Sequence, residues 1–121
     1  MTVKPIILEM GTGNDLYGQD YTKAALRAVQ DAIHHSSISM FSSLGIDSQD
    51  MEVKVTIGVQ EPDKVDCDVV AASLPRGRAK VTAVMGGLNI DDKDNERVSV
   101  IANAAIRALV KISNRKFAVK T

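Results

Sequence analysis

Met10-Gly11-Thr12-Gly13-Asn14-Asp15-Leu16-Tyr17-Gly18-Gln19-Asp20 is the stretch on which the fold turns. It reads as the exit of an apolar strand into a glycine-rich loop that opens an amphipathic helix. Upstream, Lys4 to Met10 places Ile6, Leu8 and Met10 on one face and Ile7 on the other, the near-continuous apolar run of a central strand buried on both sides. Downstream, Asp20 is positioned to N-cap a helix to about Ser36, with Ala25, Leu26, Val29, Ala32 and Ile33 as its apolar stripe. The glycines allow close backbone approach, and a helix start directs unpaired N–H groups and a partial positive charge at the loop. This corner is either a tight strand-to-helix turn or a cradle for an anionic or carbonyl-bearing ligand.

Outward from that corner, Glu52 to Gln60 alternates cleanly, with Val53, Val55, Ile57 and Val59 against Lys54, Thr56 and Gly58, which predicts a strand with one buried face. Pro62-Asp63 interrupts, and Val65 to Ala72 reads as a third strand around Cys67, Val69 and Val70. A turn over Ser73-Leu74-Pro75-Arg76-Gly77-Arg78 leads into a fourth strand over Ala79 to Met85, the two pairing as a hairpin. Gly86-Gly87 ends it. The acidic Asp91, Asp92, Asp94 and Glu96 then precede a second helix to about Ser113, with Val98, Ile101, Ala102, Ala105, Leu109 and Ile112 at helical spacing. Lys116 to Lys120 reads as a short last strand. Ser36 to Asp50 either extends the first helix or packs as an ordered connector.

The order β-α-β-β-β-α predicts an α+β fold: a two-layer sandwich with a mixed four- to five-stranded sheet and two helices on one face. The opposite sheet face would carry Lys54, Thr56, Gln60, Lys80 and Thr82, and covering it with another copy is the expected arrangement.

At 121 residues, with 45% hydrophobic and 25% charged residues, the chain is expected to form one domain over residues 1–121. Fifteen basic against fifteen acidic residues, without a basic block or interleaved aromatics, argue against a nucleic-acid partner. Zero net charge favours a defined oligomer over a soluble monomer. Cys67 is the single cysteine, so no intrachain disulfide forms and a cysteine-rich metal site is excluded. The residues before Glu9 are too few and too soon interrupted for a leader or membrane span, so a cytoplasmic protein without a membrane partner is expected.

From Ile6 to about Gly45 the chain resembles the first repeat of the ring-opening amidohydrolases, the cyanuric acid hydrolase and barbiturase family. Met10, Gly11, Gly13 and Asn14, then Asp20, Tyr21 and Thr22, then the alanine-rich Ala24 to Ala28 carry the likeness. The whole chain also resembles a family of small conserved hypothetical proteins. Those hydrolases close three repeats around a pseudo-threefold axis, so the resemblance implies that a one-repeat chain assembles as a homotrimer. It also marks three functional places. The family's Lys is held by Thr12, its Arg by Lys23, and its nucleophilic Ser falls at Ile57-Gly58-Val59. Without the Ser-Lys pair the family's chemistry is not implied, whereas a cleft in the same place is.

The candidate ligand-binding residues are therefore Gly11, Thr12, Gly13, Asn14, Asp15, Gln19 and Lys23 in the first corner. Ser73, Arg76 and Arg78 follow in a cationic turn, and Gly86 and Gly87, with Asn89 beyond, at a second glycine turn. Gly11-x-Gly13 lacks the third glycine of a dinucleotide fingerprint, and Gly18 lacks the Lys-Ser/Thr of a P-loop. His34 and His35 are adjacent and diverge on a helix, and the acidic run lacks a calcium-loop pattern, so neither a metal nor a cofactor is expected. The leading function is a homo-oligomer that binds a small polar or anionic metabolite at intersubunit clefts. One alternative is a divergent ring-opening amidohydrolase using Lys23 with a hydroxyl from Thr12, Thr56 or Ser73. Another is an interaction module whose bare sheet face receives a partner.

Overall fold

The computed structural model describes residues 2–16, 18–34, 51–74 and 78–112. The connector at 36–50, the short strand expected over 116–120, and Arg76 lie outside the described residues. The elements are β1 (Thr2–Asp15), α1 (Tyr21–His34), β2 (Met51–Val59), a 3₁₀ turn (Pro62–Lys64), α2 (Cys67–Ala72), β3 (Arg78–Met85), β4 (Leu88–Asp92) and β5 (Arg97–Ile112).

The fold is α+β: among the described residues, a five-stranded mixed sheet with two helices against it. Its strand order is β1-β5-β2-β3, and β4 pairs with β5 beyond the end of β2. β5 is antiparallel to β1, β2 and β4, whereas β2 and β3 run parallel. The core is aliphatic: Ala24, Ala25, Ala28, Val29 and Ala32 of α1 pack over Val53, Val55, Ile57 and Val59 of β2 and Val100, Ala102, Ala104, Ile106 and Ala108 of β5.

Several elements differ from the sequence expectation, each for a physical reason. The loop expected at the glycine corner starts later, because β1 continues through Gly11 and Gly13 to Asp15. A Cβ at Gly11 would lie 2.4 Å from the backbone of Ala28 and Ala32, and one at Gly13 would lie 2.2 Å from Ala28 N. Glycine stands there so that α1 can lie directly on the strand, its alanines meeting bare backbone. Nor is β1 buried on both sides at its described side chains; it is at the edge of the described strands, with Leu8 and Met10 62% and 71% exposed on the face away from α1.

Where a second helix is expected after the acidic run, to about Ser113, the chain instead forms β5, which pairs with β4 as a hairpin. The β5 residues in the core cluster, Val100, Ala102, Ala104, Ile106 and Ala108, recur with period two, and strands on both sides satisfy its backbone groups. The third strand expected over 65–72 is helical, because the Asp66 carboxylate caps it by accepting from the N–H groups of Asp68 at 3.1 Å and Val69 at 3.2 Å. Consequently no hairpin joins it to β3. The 3₁₀ turn and α2 instead form the crossover that parallel pairing of β2 and β3 requires. Cys67, expected as a buried residue, is half-buried at the start of α2.

Candidate functional site

Where β1 meets α1, the Asp15 carboxylate is 3% exposed and organises the corner. Its Oδ2 accepts from the N–H groups of Gly18 at 3.1 Å and Asp20 at 2.8 Å. Its Oδ1 stands 4.0 Å from Lys23 Nζ and 3.9 Å from Arg27 Nη1. Arg27 also donates to the carbonyl oxygen of Asn14 at 2.6 Å, and Gln19 takes a left-handed φ of 49° within the turn. Asp20 caps α1 as expected, accepting from Lys23 N at 3.0 Å. The N–H groups and cations that an incoming anion would use are thus already directed at the chain's own carboxylate.

Beside this corner, Tyr21 is buried and donates its hydroxyl to Glu61 Oε2 at 2.7 Å while accepting from Asn89 Nδ2 at 2.7 Å. Lys64 Nζ sits 3.1 Å from Glu61 Oε1 and 5.8 Å from the centre of the Tyr21 ring. The Tyr21 hydroxyl, and secondarily Lys64, hold the Glu61 carboxyl below its ordinary value, and Glu61 in turn raises Lys64. This cluster ties α1, the crossover and β4 together on the helix side.

The opposite face of the sheet carries a concavity of about 590 Å³. Met10 of β1, Thr56 and Gly58 of β2, Val84 of β3, and Asn103 and Ala105 of β5 line it, with Thr12 and Asp31 at the β1 edge. Asp31 reaches round that edge from α1 and accepts from Thr12 N at 2.9 Å. The hollow exists because Gly58 and Gly86 face each other: a Cβ at Gly86 would come within 3.0 Å of Gly58 Cα. Gln60 Nε2 fixes the second glycine turn by donating to the carbonyls of Gly86 at 3.0 Å and Gly87 at 3.2 Å. Gly87 has φ +61°, and a side chain there would meet the Ile101 carbonyl, so only glycine fits.

The expected site residues are therefore divided. Gly11, Thr12 and Gly86 line the concavity, whereas Asn14, Asp15, Gln19 and Lys23 belong to the Asp15 corner and Gly13 lies beneath α1. Ser73 donates to the Val70 carbonyl at 2.6 Å at the end of α2, and Gly87 makes the turn into β4. Arg78 begins β3, with its side chain outside the described residues. Met10, Asp31, Val84, Asn103 and Ala105 are not among the ligand-binding residues the sequence marks, and Gly58 is marked only as part of Ile57-Gly58-Val59 by the amidohydrolase resemblance. The alternation of β2 was the available signal, because it sends Lys54, Thr56 and Gly58 to one face. Among the described residues no group of three or more His, Cys, Asp or Glu side chains is placed to hold a metal ion, and no described helix is long and apolar enough to cross a membrane.

A two-layer α+β domain whose sheet face opposite the helices is bare and hollowed among the described residues defines the class of protein. The chain belongs to the Lin0512 family of conserved hypothetical proteins, whose pattern matches residues 5–108. It is similar to an FtsZ-like protein of unknown function from Nostoc punctiforme, at 34% identity over 93% of this chain and 99% of that one, with a TM-score of 0.79. No curated protein matches it.

Proposed function

We propose that the protein is a homo-oligomer assembled through the open sheet face, with each concavity closed by a neighbouring copy to hold a small metabolite. The hollow itself carries this reading: about 590 Å³ is within the size range of small-molecule sites, and its largely apolar wall has a few placed polar groups in Thr12, Thr56 and Asn103. Around it Leu8, Met10, Leu88 and Ile90 are all more than half exposed, an apolar rim that a soluble chain is expected to cover. Of the three places the amidohydrolase resemblance marks, Thr12 and the Gly58 of Ile57-Gly58-Val59 line this hollow and Lys23 does not, so two of the three support the same location for a ligand. The threefold arrangement implied by that resemblance makes a trimer the expected stoichiometry.

Catalysis by Lys23 with a hydroxyl partner is the weaker reading. Lys23 pairs with Asp15 and is not among the residues lining the hollow, while Ser73 is engaged at the end of α2. The decisive experiment combines light scattering with a thermal-shift screen of small polar and anionic metabolites, using the wild type and Gly58→Val. A multimer stabilised by a ligand that Gly58→Val no longer recognises is the expected outcome. A wild-type monomer that no metabolite stabilises overturns the proposal.

A further inference from the structure

The pairing of the strands sets Arg107 of β5 opposite Lys54 of β2, and Lys54 opposite Lys80 of β3. All three side chains are exposed on the open face, in one row that crosses the sheet next to Leu8 of β1. Neighbouring strands are about 4.8 Å apart, so three cationic stems leave the sheet side by side. Like charges directly opposite each other in a sheet destabilise it. Among the described residues no carboxylate comes within ion-pair distance of any of the three, Glu52 on the same face of β2 included. An anion seated on the row would relieve that repulsion.

One strand repeat further along, about 7 Å away, the next row consists of Met10, Ala105, Thr56 and Thr82, and three of these residues line the concavity. Long Lys and Arg side chains reach across that distance while their stems cover apolar surface. Resting on the reading of the hollow as a ligand site, we infer that the row and the hollow form one site for a small molecule that joins a carboxylate or phosphate group to a compact apolar body. The anionic group lies across Arg107, Lys54 and Lys80, where Arg107 offers a two-pronged donor and the lysines offer point charges. The apolar body lies over Met10, Ala105 and Val84, and the hydroxyl and amide groups of Thr56 and Asn103 meet its polar substituents.

The test is calorimetric titration of the full chain with benzoate, phenyl phosphate and the uncharged benzamide, at low and high salt. Benzoate or phenyl phosphate should bind and benzamide should not, with affinity falling as salt rises. The preferred anion separates a carboxylate ligand from a phosphate one. Lys54→Ala and Lys80→Ala should each weaken anion binding by roughly tenfold, and Lys54→Arg should restore most of it, with circular dichroism unchanged throughout. Equal binding of benzamide and benzoate overturns the anion assignment while leaving the hollow as a ligand site. Binding of none of the probes also overturns it, and the wider metabolite screen with Gly58→Val then judges the hollow by itself. If instead the row variants lower the oligomeric mass and leave binding unaltered, the acidic turn at Asp92–Glu96 of a second copy occupies the row, and the inference fails.

Discussion

Tyr21 shows how much of the molecule a single hydroxyl coordinates. It is buried by the core, yet its oxygen both donates to Glu61 and accepts from Asn89, so one side chain of α1 fixes the crossover and the last hairpin. The pH consequence follows from the direction of the Glu61 shift. Its folded-state carboxyl is held below the ordinary value of 4.5, first by the Tyr21 hydroxyl and then by Lys64. The stability this contributes is present above that ordinary value and is lost as pH falls through it towards the lower folded one. Lys64, raised by Glu61, contributes in the opposite sense: its share is present below the ordinary lysine value and disappears at higher pH. Tyr21→Phe should therefore be less stable than the wild type at neutral pH, and the gap should narrow as pH is lowered through the glutamate range. Urea midpoints measured across that range check this. A constant gap would assign the hydroxyl's effect to Asn89 alone.

At the level of elements, α1 packs closely on β1, where Gly11 and Gly13 meet the backbone of the helix turns around Ala24, Ala28 and Ala32. Gly13→Ala would push a methyl group to 2.2 Å from Ala28 N and 2.5 Å from Ala24 O, both backbone atoms of a helix that cannot yield locally. The helix must lift, at a cost of at least about 1–3 kcal/mol, read as a lower denaturant midpoint. Full stability in Gly13→Ala would mean that the helix does not sit on the strand in this way. The sequence marks those glycines as places of close approach, for a tight turn or for a ligand, but not for α1 itself, because the approaching helix is separated from them by the turn at Asp15. It located β2 and β3 correctly because Val53, Val55, Ile57 and Val59 alternate with polar residues and no helical stripe competes. β5 fits two periods at once. Ala102, Ala104, Ala105 and Ala108 are small enough for either, alanine favours a helix locally, and only pairing with the distant β1 and β2 decides for a strand. The hollow was hidden for the same reason: Met10, Gly58, Val84 and Asn103 meet through registers that no local pattern records.

Among the described residues, one face of the sheet is covered by helices and one is left open, and the two differ in kind. The covered side is a closed aliphatic core, whereas the open side exposes Leu8, Met10, Leu88 and Ile90 around the hollow, with the cationic row alongside. A formal net charge of zero supplies no general repulsion to keep copies apart. If assembly through this face is part of the native state, folding is coupled to association and the thermal midpoint must depend on protein concentration. Each tenfold increase should favour the assembled state by on the order of 1 kcal/mol per subunit, which for a chain of this size moves the midpoint by roughly 3–6 °C. Met10→Lys places a charge in the middle of the exposed patch without touching the core, since that side chain is 71% exposed. The variant should keep the wild-type circular dichroism spectrum, scatter light as a monomer and lose the concentration dependence. A wild-type midpoint that stays fixed across a hundredfold dilution series would mean that the open face is not where copies meet, and would leave its apolar rim to a partner other than the chain itself.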